Sequence, residues 1–141
     1  MVGYVGQMLR AILGVNGMWS MAVVGAGDLG HALVNYGGFQ NHGFRVAAVF
    51  DIDPTKIGQR IGALVVEDEA KMTQRLRKLK VKIGIIAVPA RAAQRVAELL
   101  IEGGVTAILT YAPITLNVPD TVRIEYIDPV IALQSMTYYL Q

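Results

Sequence analysis

Apolar residues follow two alternating patterns along this chain. Short, mainly apolar runs at residues 21–25, 45–50, 81–88 and 105–110 read as strands buried on both faces. Between them apolar positions recur every three or four residues, the period of a helix with one buried stripe. Met8, Leu9, Ile12 and Leu13 predict a lead-in helix over residues 7–13, stopped by Gly14-Val15-Asn16-Gly17. A strand over 21–25 follows, then a helix over 28–41 closed by His42 and Gly43. After the strand over 45–50 come a short strand at 63–66 and a charged helix at 67–78. The run 81–88, interrupted by Gly84, leads through Pro89, suited to a first helical turn, into a helix that Gly103-Gly104 ends. Strands at 105–110 and 121–126 and a last helix at 130–140, opened by Asp128-Pro129, complete the series. This alternation predicts an α/β fold with a doubly wound, mostly parallel sheet and helices on both faces.

The first strand ends in Val23-Val24-Gly25-Ala26-Gly27-Asp28-Leu29-Gly30, and the second ends in the carboxylate of Asp51, about 20 residues further on. Strand, Gly-x-Gly-x-x-Gly turn, helix and acidic strand end together are the context of a Rossmann dinucleotide site. Gly25 permits the tight turn, Gly27 leaves bare backbone for a pyrophosphate, and Gly30 lets the helix pack on the strand. The helix start offers free amides and a partial positive charge to the phosphates. Asp51 would accept from a ribose 2′-hydroxyl and repel a 2′-phosphate, which favours NAD(H) over NADP. Asp28 suits the helix dipole but opposes a nearby pyrophosphate.

Composition narrows the setting. At 141 residues the chain is the size of one domain, residues 1–141. Apolar residues are 53% and charged ones 17%, so part of the apolar surface is expected to be covered by a second copy in a homodimer. Thirteen basic against eleven acidic residues give a net charge of only +2, no footprint for nucleic acid. The one basic run, Lys71, Arg75, Arg77, Lys78, Lys80 and Lys82, reads as a solvated helix face and end. The chain has no cysteine, which excludes disulfides and thiolate metal sites; a redox signal would have to come through a bound ligand. The uncharged windows at 11–27 and 103–119 are broken by Gly, Asn, Ser or Pro and predict no membrane span, so the expected location is cytoplasmic.

Several longer motifs resemble one family, the Rex-type redox-sensing transcriptional repressors. They are Val24-Gly25-Ala26-Gly27-Asp28-Leu29-Gly30-His31-Ala32-Leu33, Asn35-Tyr36-Gly37, Phe50-Asp51-Ile52-Asp53-Pro54, Val88-Pro89-Ala90 with Ala93-Gln94, Ile108-Leu109-Thr110-Tyr111-Ala112-Pro113, Leu116-Asn117-Val118-Pro119 and Ile127-Asp128. The resemblance runs over essentially the whole chain. It implies the family's NAD(H)-binding half, a sensor rather than an enzyme, with the cofactor along Gly25, Ala26, Gly27, Asp28, Leu29 and Gly30. Asp51, Ile52 and Asp53, and further on Val88, Pro89, Tyr111, Ala112 and Pro113, join that set. In such repressors a winged helix ahead of this half holds operator DNA, and NADH binding rotates the dimer and releases it. A C-terminal helix, here within 128–141, is exchanged between subunits. Tyr36 and Asp128 match a tyrosine and an aspartate whose contact changes between states, and Pro129 replaces a larger apolar residue. Residues 1–20 match the linker and lead-in helix, so the DNA-binding half is expected to be missing, by truncation or in a natural stand-alone version.

Other readings compete at single residues. His31 could touch a phosphate or be an ordinary first-turn residue; His42 fits a helix end; no nucleophile or metal ligand stands at a matching spacing. Tyr111 is either a packed aromatic or a lid, and Asp53 either assists the ribose or only opens a turn with Pro54. Leu133, Met136, Tyr138, Tyr139 and Leu140 form a core stripe or an exchanged interface. Two other functions remain: a coenzyme A-binding Rossmann protein, and a fragment of an NAD-dependent dehydrogenase, which would need a proton relay and a substrate pocket.

Overall fold

The computed structural model describes residues 17–127. The lead-in helix at 7–13, Asp128, Pro129 and the last helix at 130–140 lie outside the described residues.

Among the described residues seven strands form one sheet: β1 (Trp19–Val24), β2 (Phe44–Asp51), β3 (Arg60–Ile61), β4 (Leu64–Asp68), β5 (Ile83–Ile86), β6 (Ala107–Thr110) and β7 (Arg123–Tyr126), in the order β3-β4-β2-β1-β5-β6-β7. Every pairing is parallel except that of β3 with β4. The helices are α1 (Asp28–Asn35), α2 (Gly38–Asn41), α3 (Met72–Leu79) and α4 (Ala90–Glu102), with a 3-10 turn at Glu69–Lys71 ahead of α3.

The two-residue side-chain period splits the core in two. Ala22, Val24, Phe50, Ile86 and Ile108 point to one face, where Met72 and Leu76 of α3 and Val96, Ala97 and Leu100 of α4 cover them. Met21, Val23, Val49, Val66 and Ile85 point to the other, where Ala26 of the turn after β1 and Leu33 of α1 pack. Both faces are buried, which is why these strands read as continuous apolar runs. Gly84 is no interruption: a β-carbon there would stand 2.8 Å from Leu100 Cδ1, so the glycine lets α4 lie close on β5. The β1–β2 pairing slips one residue between Met21 and Ala22.

Two expectations need correction, and one strand is new. The helix expected over 28–41 is two helices. Tyr36 leaves α1 in an extended conformation, φ −73° and ψ 110°, and its ring lies over Gly38 and meets Phe39 edge-on at 4.8 Å. The helix expected from 67 begins later, because Phe50↔Glu67 and Asp51↔Asp68 remain strand pairs and Asp68 accepts from the Ala70 amide to open the turn. β3 was not foreseen. Two residues, one of them the exposed Arg60, carry no readable alternation, and the tight reversal into β4 is made by Gly62 at φ +59°.

Candidate functional site

β1, β2, β4, β5 and β6 run parallel, so their carboxyl ends share one edge, the place where open α/β sheets hold ligands. The glycine loop sits there between β2 and β5. The Gly25 amide donates to the Phe50 carbonyl at 2.8 Å, and Gly25 takes φ +111°, a left-handed conformation open to glycine. A β-carbon at Gly25 would run into the Ala87 carbonyl. One at Gly30 would run into the Gly25 carbonyl, so α1 starts hard against the turn. Gly27 caps α1 without a side chain, and the first-turn amides have no partner within the helix. Asp28 and Leu29 are exposed on that turn.

Asp51 is 9% exposed, and its carboxylate ties the strand end to the loop. Oδ2 accepts from the Ala26 amide at 2.7 Å, and Oδ1 accepts from the Asp53 amide at 2.8 Å. Each oxygen keeps a further lone pair for a ligand hydroxyl. Asp53 Oδ1 accepts from the Thr55 amide at 2.9 Å and the Thr55 hydroxyl at 2.8 Å. These bonds, the amide foremost, hold the Asp53 carboxyl below its ordinary value, and the Lys56 ammonium adds to the effect.

Ile52 stands 63% exposed beside Asp51, at a cavity of about 250 Å³ that Ala70, Thr73, Leu99 and Arg95 also line. Glu69, 4% exposed, forms its wall and is ion-paired with Arg95. On the other side, Val88 Cγ1 comes within 3.2 Å of a β-carbon built on Gly25, and Pro89 is the residue before α4. Tyr111 is partly buried and packs against the apolar cluster under α1. Ala112 is buried, with its amide on Thr110 Oγ1 at 3.1 Å, and Pro113 is exposed.

The structure therefore gathers Gly25, Ala26, Gly27, Asp28, Leu29, Gly30, Asp51, Ile52, Asp53, Val88 and Pro89 around one edge. Tyr36 is not among them. It lies past the far end of α1, 59% exposed, lining an apolar groove of about 380 Å³ with Met21, Phe39, Phe44, Ile83 and Leu109.

Sequence reasoning missed two features. The Lys56 ammonium lies 3.8 Å from a β-carbon built on Gly27, a placement set by the turn after Asp53. The Glu69–Arg95 pair joins residues 26 apart, which no local pattern announces. Among the described residues, no group of three or more His, Cys, Asp or Glu could hold a metal, and no helix is long and apolar enough to cross a membrane.

Residues 16–114 match the family described as the CoA binding domain. The chain is 54% identical to the redox-sensing transcriptional repressor Rex of Chloroflexus aggregans, over 94% of this chain and 62% of that protein. It is 42% identical to the repressor of the same name from Desulforamulus reducens, over 99% of this chain and 68% of that one. A repressor called RSP, solved in complex with β-NADH, superposes with a TM-score of 0.82 at 34% identity, covering 99% of this chain and 67% of that chain. RSP was also solved with β-NAD+ and operator DNA, with a TM-score of 0.81 at 34% identity and coverage of 99% and 64%. This chain thus spans less than two thirds of the Chloroflexus protein.

Proposed function

This chain belongs to the CoA binding domain family and, within it, to the Rex redox-sensing transcriptional repressors, and from that premise we propose that it is an NAD(H)-binding sensor half. The observation that carries the reading is the Asp51 carboxylate, fixed between the Ala26 and Asp53 amides beside an uncapped helix start.

In this reading the pyrophosphate lies over Gly25, Gly27 and Gly30 and draws on the first-turn amides of α1. Asp51 takes the adenine-ribose hydroxyls and repels a 2′-phosphate, so NADPH is refused. The base rests on Ile52 in the cavity closed by Leu99 and Arg95. Val88, Pro89, Tyr111, Ala112 and Pro113 form the nicotinamide side. The chain performs no chemistry on the cofactor; occupancy is the signal. It acts as a cytoplasmic homodimer, with Tyr36 and Asp128 at the contact that changes between states. Operator DNA is held by a winged helix ahead of residue 3 in the whole repressor.

Coenzyme A is the second reading, favoured by the family match at residues 16–114. A fluorescence titration with NADH, NADPH and coenzyme A separates the two. NADH should bind tightest and resist displacement by coenzyme A; preferential binding of coenzyme A would overturn the NAD(H) assignment.

A further inference from the structure

We propose that Lys56 is a further binding residue of this site, placing a cation over the glycine loop that neutralises the pyrophosphate of the bound dinucleotide. The proposal rests on the NAD(H) reading above. It adds a residue that the glycine motif does not contain.

The first ground is position. A side chain is absent at Gly27 so that an anion can reach the loop amides, and the vector of its missing β-carbon marks that approach. Among the described residues beyond the neighbouring chain, one heavy atom lies within 4 Å of that point, the Lys56 Nζ at 3.8 Å. Its ammonium therefore already stands where the ligand's negative charge would arrive.

The second ground is how the lysine is held. The Lys56 and Ile57 amides donate to the Asp53 carbonyl at 2.9 and 3.1 Å, and Asp53 Oδ1 takes both the Thr55 amide and hydroxyl. The Gly58 amide then donates to the Val66 carbonyl at 2.8 Å, anchoring the turn to β4. A turn fixed at both ends presents the lysine from an ordered backbone, so that only its side chain has to be ordered on binding. Asp51 takes the Asp53 amide, so the same carboxylate that faces the ribose starts the turn that aims the ammonium.

The third ground is charge. A pyrophosphate brings two negative charges to a helix start whose first turn carries Asp28 and no cation. The helix end supplies about half a positive charge. Lys56 offsets the deficit, and among the described residues it makes no ion pair within 4 Å that would hold it back. A flexible single-point ammonium fits this role, since it can follow the phosphates while the backbone provides the directional bonds.

The test is an NADH titration of the 141-residue chain and of Lys56→Gln and Lys56→Arg at two salt concentrations, with melting curves to show that each variant is folded. Lys56→Gln should bind NADH about tenfold more weakly, the scale of one charge-assisted bond. It should also lose part of the salt dependence of binding, because one screened charge pair is gone. Lys56→Arg should keep most of the affinity and the full salt dependence. Unchanged NADH affinity in Lys56→Gln would overturn the proposal while leaving the NAD(H) reading intact. So would a loss of affinity with wild-type salt dependence, which marks a packing role. If the unaltered chain bound no NADH, the reading and this proposal would fall together.

Discussion

Asp51 does more than its place at the end of β2 implied. Its two oxygens hold the Ala26 and Asp53 amides, so it shapes the glycine loop and the following turn before any ligand arrives. Asp51→Ala should therefore weaken NADH binding by about 1–3 kcal/mol, the range for a lost charge-assisted bond or an unpaired buried group. It should also lower the melting temperature, because two amides lose their acceptor. Unchanged NADH affinity in a titration of this variant would remove the ribose from Asp51. A second residue-scale prediction concerns Glu69, whose buried carboxylate leans on the half-exposed Arg95. Arg95→Met should destabilise the fold by about 1–3 kcal/mol by leaving that carboxylate unpaired. Adding Glu69→Leu should recover much of the loss, as replacing both members of a buried pair often does. Chemical unfolding of the single and double variants checks it; a double variant as unstable as the sum of the two singles would count against it.

At the scale of elements, the sequence made the parallel core readable and hid the joints. β1, β2 and β5 are runs of small and branched apolar residues with both faces covered, and a period of that kind survives in a single sequence. The glycine loop was readable because its three glycines stand at a fixed short spacing; Gly25 makes room for the Ala87 carbonyl and Gly30 for the Gly25 carbonyl, while Gly27 stays open. What escaped depended on particular side-chain and strand contacts that no hydrophobic period encodes. The break at Tyr36 is set by its ring on Gly38 and Phe39, the late start of α3 by the pairing of Asp68 with Asp51, and the place of Lys56 by a turn anchored on Val66. Gly84 belongs to the same class, since only Leu100 of α4 explains it. Gly84→Ala should cost about 1–3 kcal/mol through overpacking. A smaller residue at position 100 should relieve part of that cost, which thermal unfolding of the pair would reveal; an alanine at 84 with wild-type stability would show that α4 stands further off the sheet.

For the whole molecule, the apolar groove under Tyr36 and Phe44 joins the high apolar content to the proposed dimer. Deleting residues 129–141 should turn a dimer into monomers or aggregates in light scattering, and an unperturbed dimer would refute the interface role of that segment. The chain alone should give no operator-specific gel shift at physiological salt, because screened contacts through residues 71–82 are weak and the described residues present no helix-turn-helix. The central claim is that a dinucleotide lies along the carboxyl edge between the glycine loop and Asp51, and amide NMR spectra recorded during an NADH titration test it most directly. The account predicts saturable shifts concentrated at Ala26, Gly27, Leu29, Asp51, Ile52 and Lys56; shifts confined to the groove residues Met21, Phe44 and Leu109, with the glycine loop unmoved, would contradict it.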